Sequence, residues 1–209
     1  MAKSKTVKKH PTSEQIIEAA FALIAEKGLA KLRLSTLART FDMTLAEFRK
    51  IIPSVEALFD LFIDHIDAEM LDNVENDGTM SKRDLYFDML MSRFDSLQMH
   101  RDGVVRWLRD LPKYPALWCH TLKRWDQSLS LMLDLANDSP LLPMKKIGFS
   151  WIYASSVKAW MDDDTTDLAQ TMVAVDRYLE KGGMVVSRFM SPKKAACPPF
   201  LPLFQVKRP

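Results

Sequence analysis

The sequence holds only two cysteines, Cys119 and Cys197, far apart and outside any CxxC pair. That scarcity argues against a disulfide framework or a zinc site and suits a reducing cytoplasm. His10, His65, His100 and His120 are scattered, with no partner at metal-ligand spacing and no place in a motif for nucleophilic catalysis. Cys119 and His120 are neighbours on an expected helix, so their side chains diverge by about 100°. The six glycines form no phosphate-cradling loop. No apolar run reaches the length of a membrane span, about 18 residues or more. The opening MAKSKTVKKH lacks the apolar stretch of a secretory signal. Neither a strand pattern of useful length nor an internal repeat is present. No catalytic residue, metal or cofactor is assigned, and the chain reads as a non-enzyme.

What is present is helical periodicity. The 209 residues are 47% hydrophobic and 27% charged, ordinary values for a globular protein of one large or two small domains. The net charge of +2 demands no nucleic acid, but the distribution of charge matters more than the sum. The predicted fold is all-α: a three-helix N-terminal unit on a larger C-terminal helical bundle. Residues 1–11, with Lys3, Lys5, Lys8 and Lys9, form a flexible basic arm, either a solubilising tail or a strap for DNA phosphates. Residues 12–74 are the N-terminal domain. Its first helix runs from Thr12 to Lys27, and its fourth from Ser54 to about Asn73. The turn-rich Glu75–Met80 marks the boundary. Residues 81–183 are the second domain, with helices over about 81–99, 102–111, 115–135, 143–162 and 166–181. Gly182-Gly183 ends the regular part. Pro192, Pro198, Pro199, Pro202 and Pro209 make the remainder, 184–209, an extended proline-rich tail.

The stretch from Leu34 to Phe59 organises the N-terminal domain. Leu34, Leu37, Ala38 and Phe41 recur at helical spacing. Thr44-Leu45-Ala46-Glu47 fits a capping box that opens a second short helix. Phe48, Ile51 and Ile52 give this helix a buried face, Pro53 ends it, and Ser54 caps the next. Two short helices across a tight turn make a helix-turn-helix, whose second helix is able to enter the DNA major groove.

This arrangement resembles the TetR family of transcriptional regulators. The likeness is most specific over Glu14–Leu61: Lys27-Gly28, Leu37-Ala38, and Pro53-Ser54 followed by Glu56-Ala57-Leu58. It implies a homodimer that binds a palindromic operator on double-stranded DNA, with a small apolar ligand in the C-terminal domain causing release. The candidate DNA contacts are Arg39, Thr44, Leu45, Arg49 and Lys50. Several positions depart from the family pattern. Asp42 stands for the usual turn glycine, a substitution that Asp tolerates because it visits left-handed backbone. Arg49 replaces the usual recognition-helix tyrosine, Ile51 and Ile52 replace an aromatic or His followed by Phe, and Val55 replaces a phosphate-gripping lysine. Arg33, Arg39, Arg49 and Lys50 keep the unit basic, opposed by Asp42, Glu47 and Glu56. Glu47 either faces a phosphate or, as a cap, turns back along its own helix.

In the second domain, Lys158-Ala159-Trp160-Met161-Asp162-Asp163-Asp164, Thr171 and Asp176-Arg177 resemble the COQ9 family, as does Arg93-Phe94-Asp95-Ser96-Leu97 before His100-Arg101. That resemblance implies an alternative: a lipid-binding accessory protein of ubiquinone biosynthesis, holding an isoprenoid lipid, with DNA binding lost. The indoles Trp107, Trp118, Trp125, Trp151 and Trp160 are either plain core or the wall of an apolar cavity between helices. Phe94, Trp107, Trp118, Leu122, Trp125 and Trp151 are the candidate lining. Gly148, Ala154, Ser155, Ser156 and Ala159 suit close helix packing, either within the chain or in a homodimer seam through helices 143–162 and 166–181. Asp162, Asp163, Asp164 and Asp167 lack the spaced ligands of a calcium loop and read as an N-capping cluster with Thr165 and Thr166.

Overall fold

The computed structural model describes residues 10–76, 78–138 and 143–190, with backbone alone over 183–190. The basic arm before His10 and the tail beyond 190 lie outside the described residues. Among those described there are nine α-helices and no strand. The all-α expectation holds.

Helix α1, Ser13–Lys27, starts at the predicted capping box of Thr12 and Gln15 and stops at Gly28, whose φ of 78° a side chain would resist. A 3-10 turn, Leu29–Lys31, leads to α2, Leu34–Thr40, then α3, Leu45–Phe48, and α4, Val55–Asn73. Four positions of α1, Ile16, Ile17, Ala20 and Ile24, are fully buried together with Phe48, Leu58 and Phe62. The second half consists of α5, Lys82–Gln98; α6, Arg101–Asp110; α7, Pro115–Leu135; α8, Pro143–Asp162; and α9, Ala169–Met190. Ser81 caps α5 and Pro115 opens α7, as their positions require.

Both boundaries of α9 differ from the sequence reading. Helix α9 does not stop at Gly182-Gly183 but continues to Met190. Gly182 is buried where α9 crosses α8, and a Cβ there would overlap the Ile152 side chain. The glycine permits a close helix approach rather than ending a helix. Helix α9 also begins at Ala169 rather than 166, because Leu168 takes a left-handed φ of 55°. The aspartate cluster explains that start. Asp163, 1% exposed, accepts from the backbone N–H and hydroxyl of Thr165 (2.9 and 2.5 Å) and of Thr171 (2.7 Å each).

One hydrophobic core runs through both halves. Helix α6 closes the gap between them. Gly103 on α6 lies against the Phe21 backbone of α1, where a Cβ would overlap the Phe21 carbonyl. At the far end of α6, Asp110 accepts from the Leu29 backbone N–H (3.2 Å), Arg106 Nε (3.3 Å) and Lys113 Nζ (2.6 Å). Ser155 and Ser156 are buried within the single chain, so these two small residues of α8 serve packing inside it.

Candidate nucleic-acid interface

The turn between α2 and α3 is tight. Asp42 adopts φ 52°, its N–H bonds to the Arg39 carbonyl (3.1 Å), and the Met43 N–H bonds to Ala38 (2.9 Å). Aspartate fills the left-handed position that glycine would otherwise take. Phe41 and Phe48 stack beneath it with centroids 6.2 Å apart and planes 9° apart, joining the two helices.

Helix α3 proper has four residues, but its helical bonding continues. The Arg49 N–H bonds to Leu45, and the Ile51 and Ile52 N–H groups both bond to Phe48 (2.9 Å). Phe48 and Ile52 are buried and Ile51 packs half-buried against the core, which turns Leu45, Ala46, Glu47, Arg49 and Lys50 outward. The capping box is complete. Thr44 Oγ1 accepts from the Glu47 N–H (3.2 Å), while the Glu47 carboxylate accepts from the Thr44 N–H and hydroxyl (2.8 Å each). Glu47 therefore turns back along its own helix, with its carboxylate bonded into the cap. The same bonds occupy the Thr44 side chain, leaving Leu45, 44% exposed, as the outermost apolar group.

Arg39, Arg49 and Lys50 are exposed, as is Arg33. Arg49 Nε donates to the Pro53 carbonyl at 3.4 Å, which leans the guanidinium toward the start of α4 without burying it. Ser54 Oγ caps α4 by accepting from the Ala57 N–H at 3.1 Å. Hydrogen bonds from its own backbone and from Ser54 hold the Glu56 carboxyl below its usual range, against a smaller opposing effect of burial. Glu56 thus stays ionised beside the basic face.

The six residues read as a ligand lining are dispersed. Trp107 lies in the junction with the N-terminal helices, stacked on Phe59 (4.7 Å, 8°) and edge-on to Phe21 and Phe62. Phe94 is fully buried beside Trp160, and Trp125 stacks on Tyr153 (4.2 Å, 17°). Trp118 is half-buried against the core. Leu122 and Trp151 are 47% and 46% exposed, with Trp151 edge-on to Tyr178. Two open clefts among the described residues, of about 280 and 310 Å³, take no wall from these six.

The interior of the bundle instead holds a polar group that sequence reasoning missed. Arg93 on α5 is buried and pairs with Asp67 on α4; its Nε donates to the Tyr153 hydroxyl of α8 at 2.9 Å. Ser128 on α7 donates to the other Asp67 oxygen at 2.8 Å. Four helices meet at this one salt bridge. The signal was available: Arg93 interrupts the apolar stripe of Met89, Leu90, Phe94 and Leu97. A second network joins α4 to α7, with His120 Nε2 2.8 Å and Arg124 Nε 3.1 Å from Asp60, and Arg124 also paired to Asp64. Among the described residues no group of three or more His, Cys, Asp or Glu is arranged to hold a metal ion. No described helix is long and apolar enough to cross a membrane.

The fold is similar to that of the TetR transcriptional regulator from Nitrosomonas europaea ATCC 19718, with a TM-score of 0.71 over 84% of this chain and 99% of that one. The architecture is TetR-like. Sequence identity across the match is 19%, so the likeness is one of fold. No protein-family model matches the chain, and no curated protein sequence does. The COQ9-like half finds no support among these comparisons, and the residues that suggested it have structural work within the TetR-like fold. Trp160 is buried and donates to Gln98 Oε1 at 3.1 Å. Arg101 lies over the Trp160 ring and donates to its carbonyl at 2.8 Å. Asp163 and Thr171 set the start of α9, and Asp176 pairs with Arg83.

Proposed function

We propose that the chain is a homodimeric, DNA-binding transcriptional regulator of TetR type. The observation that carries this reading is the outer face of the Thr44–Ile52 segment. Arg49 and Lys50 stand in solvent, while Glu47, the acid that would repel a phosphate, is folded into the cap. Arg39 and Arg33 extend the basic face along α2. In this reading Lys50 and Arg39 hold phosphates, Arg49 holds a phosphate or reads a guanine edge, and Leu45 meets a thymine methyl. Thr44 contributes through the cap. The fold shared with the Nitrosomonas europaea transcriptional regulator supports the same reading.

Two copies are needed to read a palindrome. Exposed apolar residues lie on the last two helices: Met144, Ile147 and Trp151 recur along α8, and Met172 and Val173 stand on α9. A second copy of this chain would cover them in a four-helix seam. Release by a small ligand would require that ligand to favour one spacing of the two reading segments over the other.

The test is a binding selection from random duplexes, followed by titration on the selected sequence. A palindromic site with steep salt dependence is expected. Replacing Arg49 and Lys50 together by Ala should abolish binding and leave the helical circular dichroism unchanged. Weak, sequence-blind binding that survives the double substitution would overturn the proposal.

A further inference from the structure

Helix α6, which joins the two halves, starts at His100, whose carbonyl accepts the Val104 N–H at 3.0 Å. The His100 imidazole is half-buried on aromatic surface of the N-terminal helices. It stacks on Phe21 of α1, with centroids 6.0 Å and planes 20° apart, and stands edge-on to Phe62 of α4 at 6.3 Å. Three residues on, Gly103 lies against the Phe21 backbone. A further turn along, Trp107 meets Phe21, Phe59 and Phe62. The imidazole is thus one of the rings that seat α6 on α1 and α4.

Unlike the other rings at this joint, it takes up a proton near neutral pH. Glu18 faces it from α1, and His65 and Glu69 face it from α4. Its own helix adds Asp102, which is exposed, and Arg101, which is turned to the Trp160 and Met161 carbonyls. Burial acts most strongly and disfavours the imidazolium; Glu18 favours it, His65 opposes it, and Glu69 favours it least. The Glu69 carboxylate is itself 3.3 Å from His65 Nε2. Burial prevails, and the His100 pKa lies below its usual value. A histidine held below its unfolded pKa of about 6.5 costs no stability above that pH and costs more as pH falls through it.

We infer that His100 makes this joint proton-sensitive: the neutral ring packs against Phe21 and Phe62, and the protonated ring leaves them for water, so that α6 loosens from α1 and α4 between about pH 7 and pH 5. Glu18 and Glu69 lie where they pull the charged ring outward from the aromatic surface. What the proton biases is the seating of the N-terminal helices on the bundle. The device needs no DNA, and neither does its test.

The experiment is thermal unfolding of the full chain, His100→Phe and His100→Gln from about pH 8 to pH 5, with proton NMR and amide hydrogen exchange on the wild type. His100→Phe keeps an aromatic ring and carries no charge. The wild-type midpoint should fall between about pH 7 and pH 5 by at least about 3 °C more than that of either variant. The His100 ring resonance, identified by its loss in a variant, should titrate below about pH 6.5. Protection of the α6 amides from Val104 to Trp107 should fall with that titration while protection in α8 holds. Parallel pH slopes in all three proteins, a His100 ring titrating at or above about pH 6.5, or protection lost equally from α6 and α8 would overturn the assignment.

Discussion

Asp163 loses its water to four protein donors and keeps its charge. Burial alone would push its pKa up; the hydrogen bonds from Thr165 and Thr171 outweigh that and hold it down to about 2. A carboxyl whose pKa is lowered by folding adds stability above its unfolded pKa of about 3.9 and loses it as pH falls toward 2. Asp138, also lowered to about 2, adds to the same window: burial works against it, and Lys145, Lys82 and Tyr86 prevail. Asp163→Asn should cost about 2–3 kcal/mol at neutral pH and flatten the fall in stability between about pH 4 and pH 2. Urea unfolding across that range is the check, and an unchanged acid limb would contradict the assignment. Asp67 is different in kind, because its partner is a buried guanidinium. Asp67→Ala leaves Arg93 charged and unpaired among four helices, which should cost about 3–5 kcal/mol. The sequence marked Arg93 as an interruption of an apolar stripe but not its partnership with Asp67, since residues on α4, α5, α7 and α8 are brought together only by packing. Asp163 as a helix cap was legible, because its threonines are nearby in the chain.

At the scale of elements, local chemistry set most helix starts. Thr12, Thr44, Ser54 and Ser81 each cap the helix that follows them, as side chains that accept the first free N–H groups should. The helix-turn-helix was readable for the same reason, since its turn, cap and buried face are encoded within about twenty residues. The glycines were read less well. Gly182 suggested a helix end because its neighbour across the α8–α9 contact, Ile152, lies thirty positions earlier and leaves no trace in local sequence. Gly103 is the stronger case. Its absent side chain lets α6 touch the backbone of α1, and Gly103→Ala would force the two apart. A loss of about 2 kcal/mol or more is expected in denaturant unfolding. Gly182→Ala should cost less, because an Ile side-chain terminus yields where a backbone carbonyl does not.

For the whole molecule the open question is assembly. Trp151 at 46% and Val173 at 67% exposure are large apolar groups left in water by a chain that buries most others. Replacing both by Glu should convert the proposed dimer to monomer in sedimentation while leaving helicity intact. A wild-type chain that sediments as a monomer at micromolar concentration would remove the dimer and, with it, the palindromic site. The distribution of charge carries the rest of the proposal. A net charge of +2 hides a segment whose exposed Arg33, Arg39, Arg49 and Lys50 share one unit, with Glu47 bonded back into its own helix cap.

The amino-acid sequence alone determined the all-helical class, nearly every helix, and the basic helix-turn-helix. Those depend on periodicity, capping and turn chemistry, which act over a few residues. Tertiary structure decided the fate of the aromatic residues, the burial of Arg93 and the placing of the polar clefts. It also decided that α6 welds the two halves through Gly103 and Asp110. These depend on which surfaces meet after the chain has folded back on itself, and a side chain's periodicity says only that it is covered, not by what.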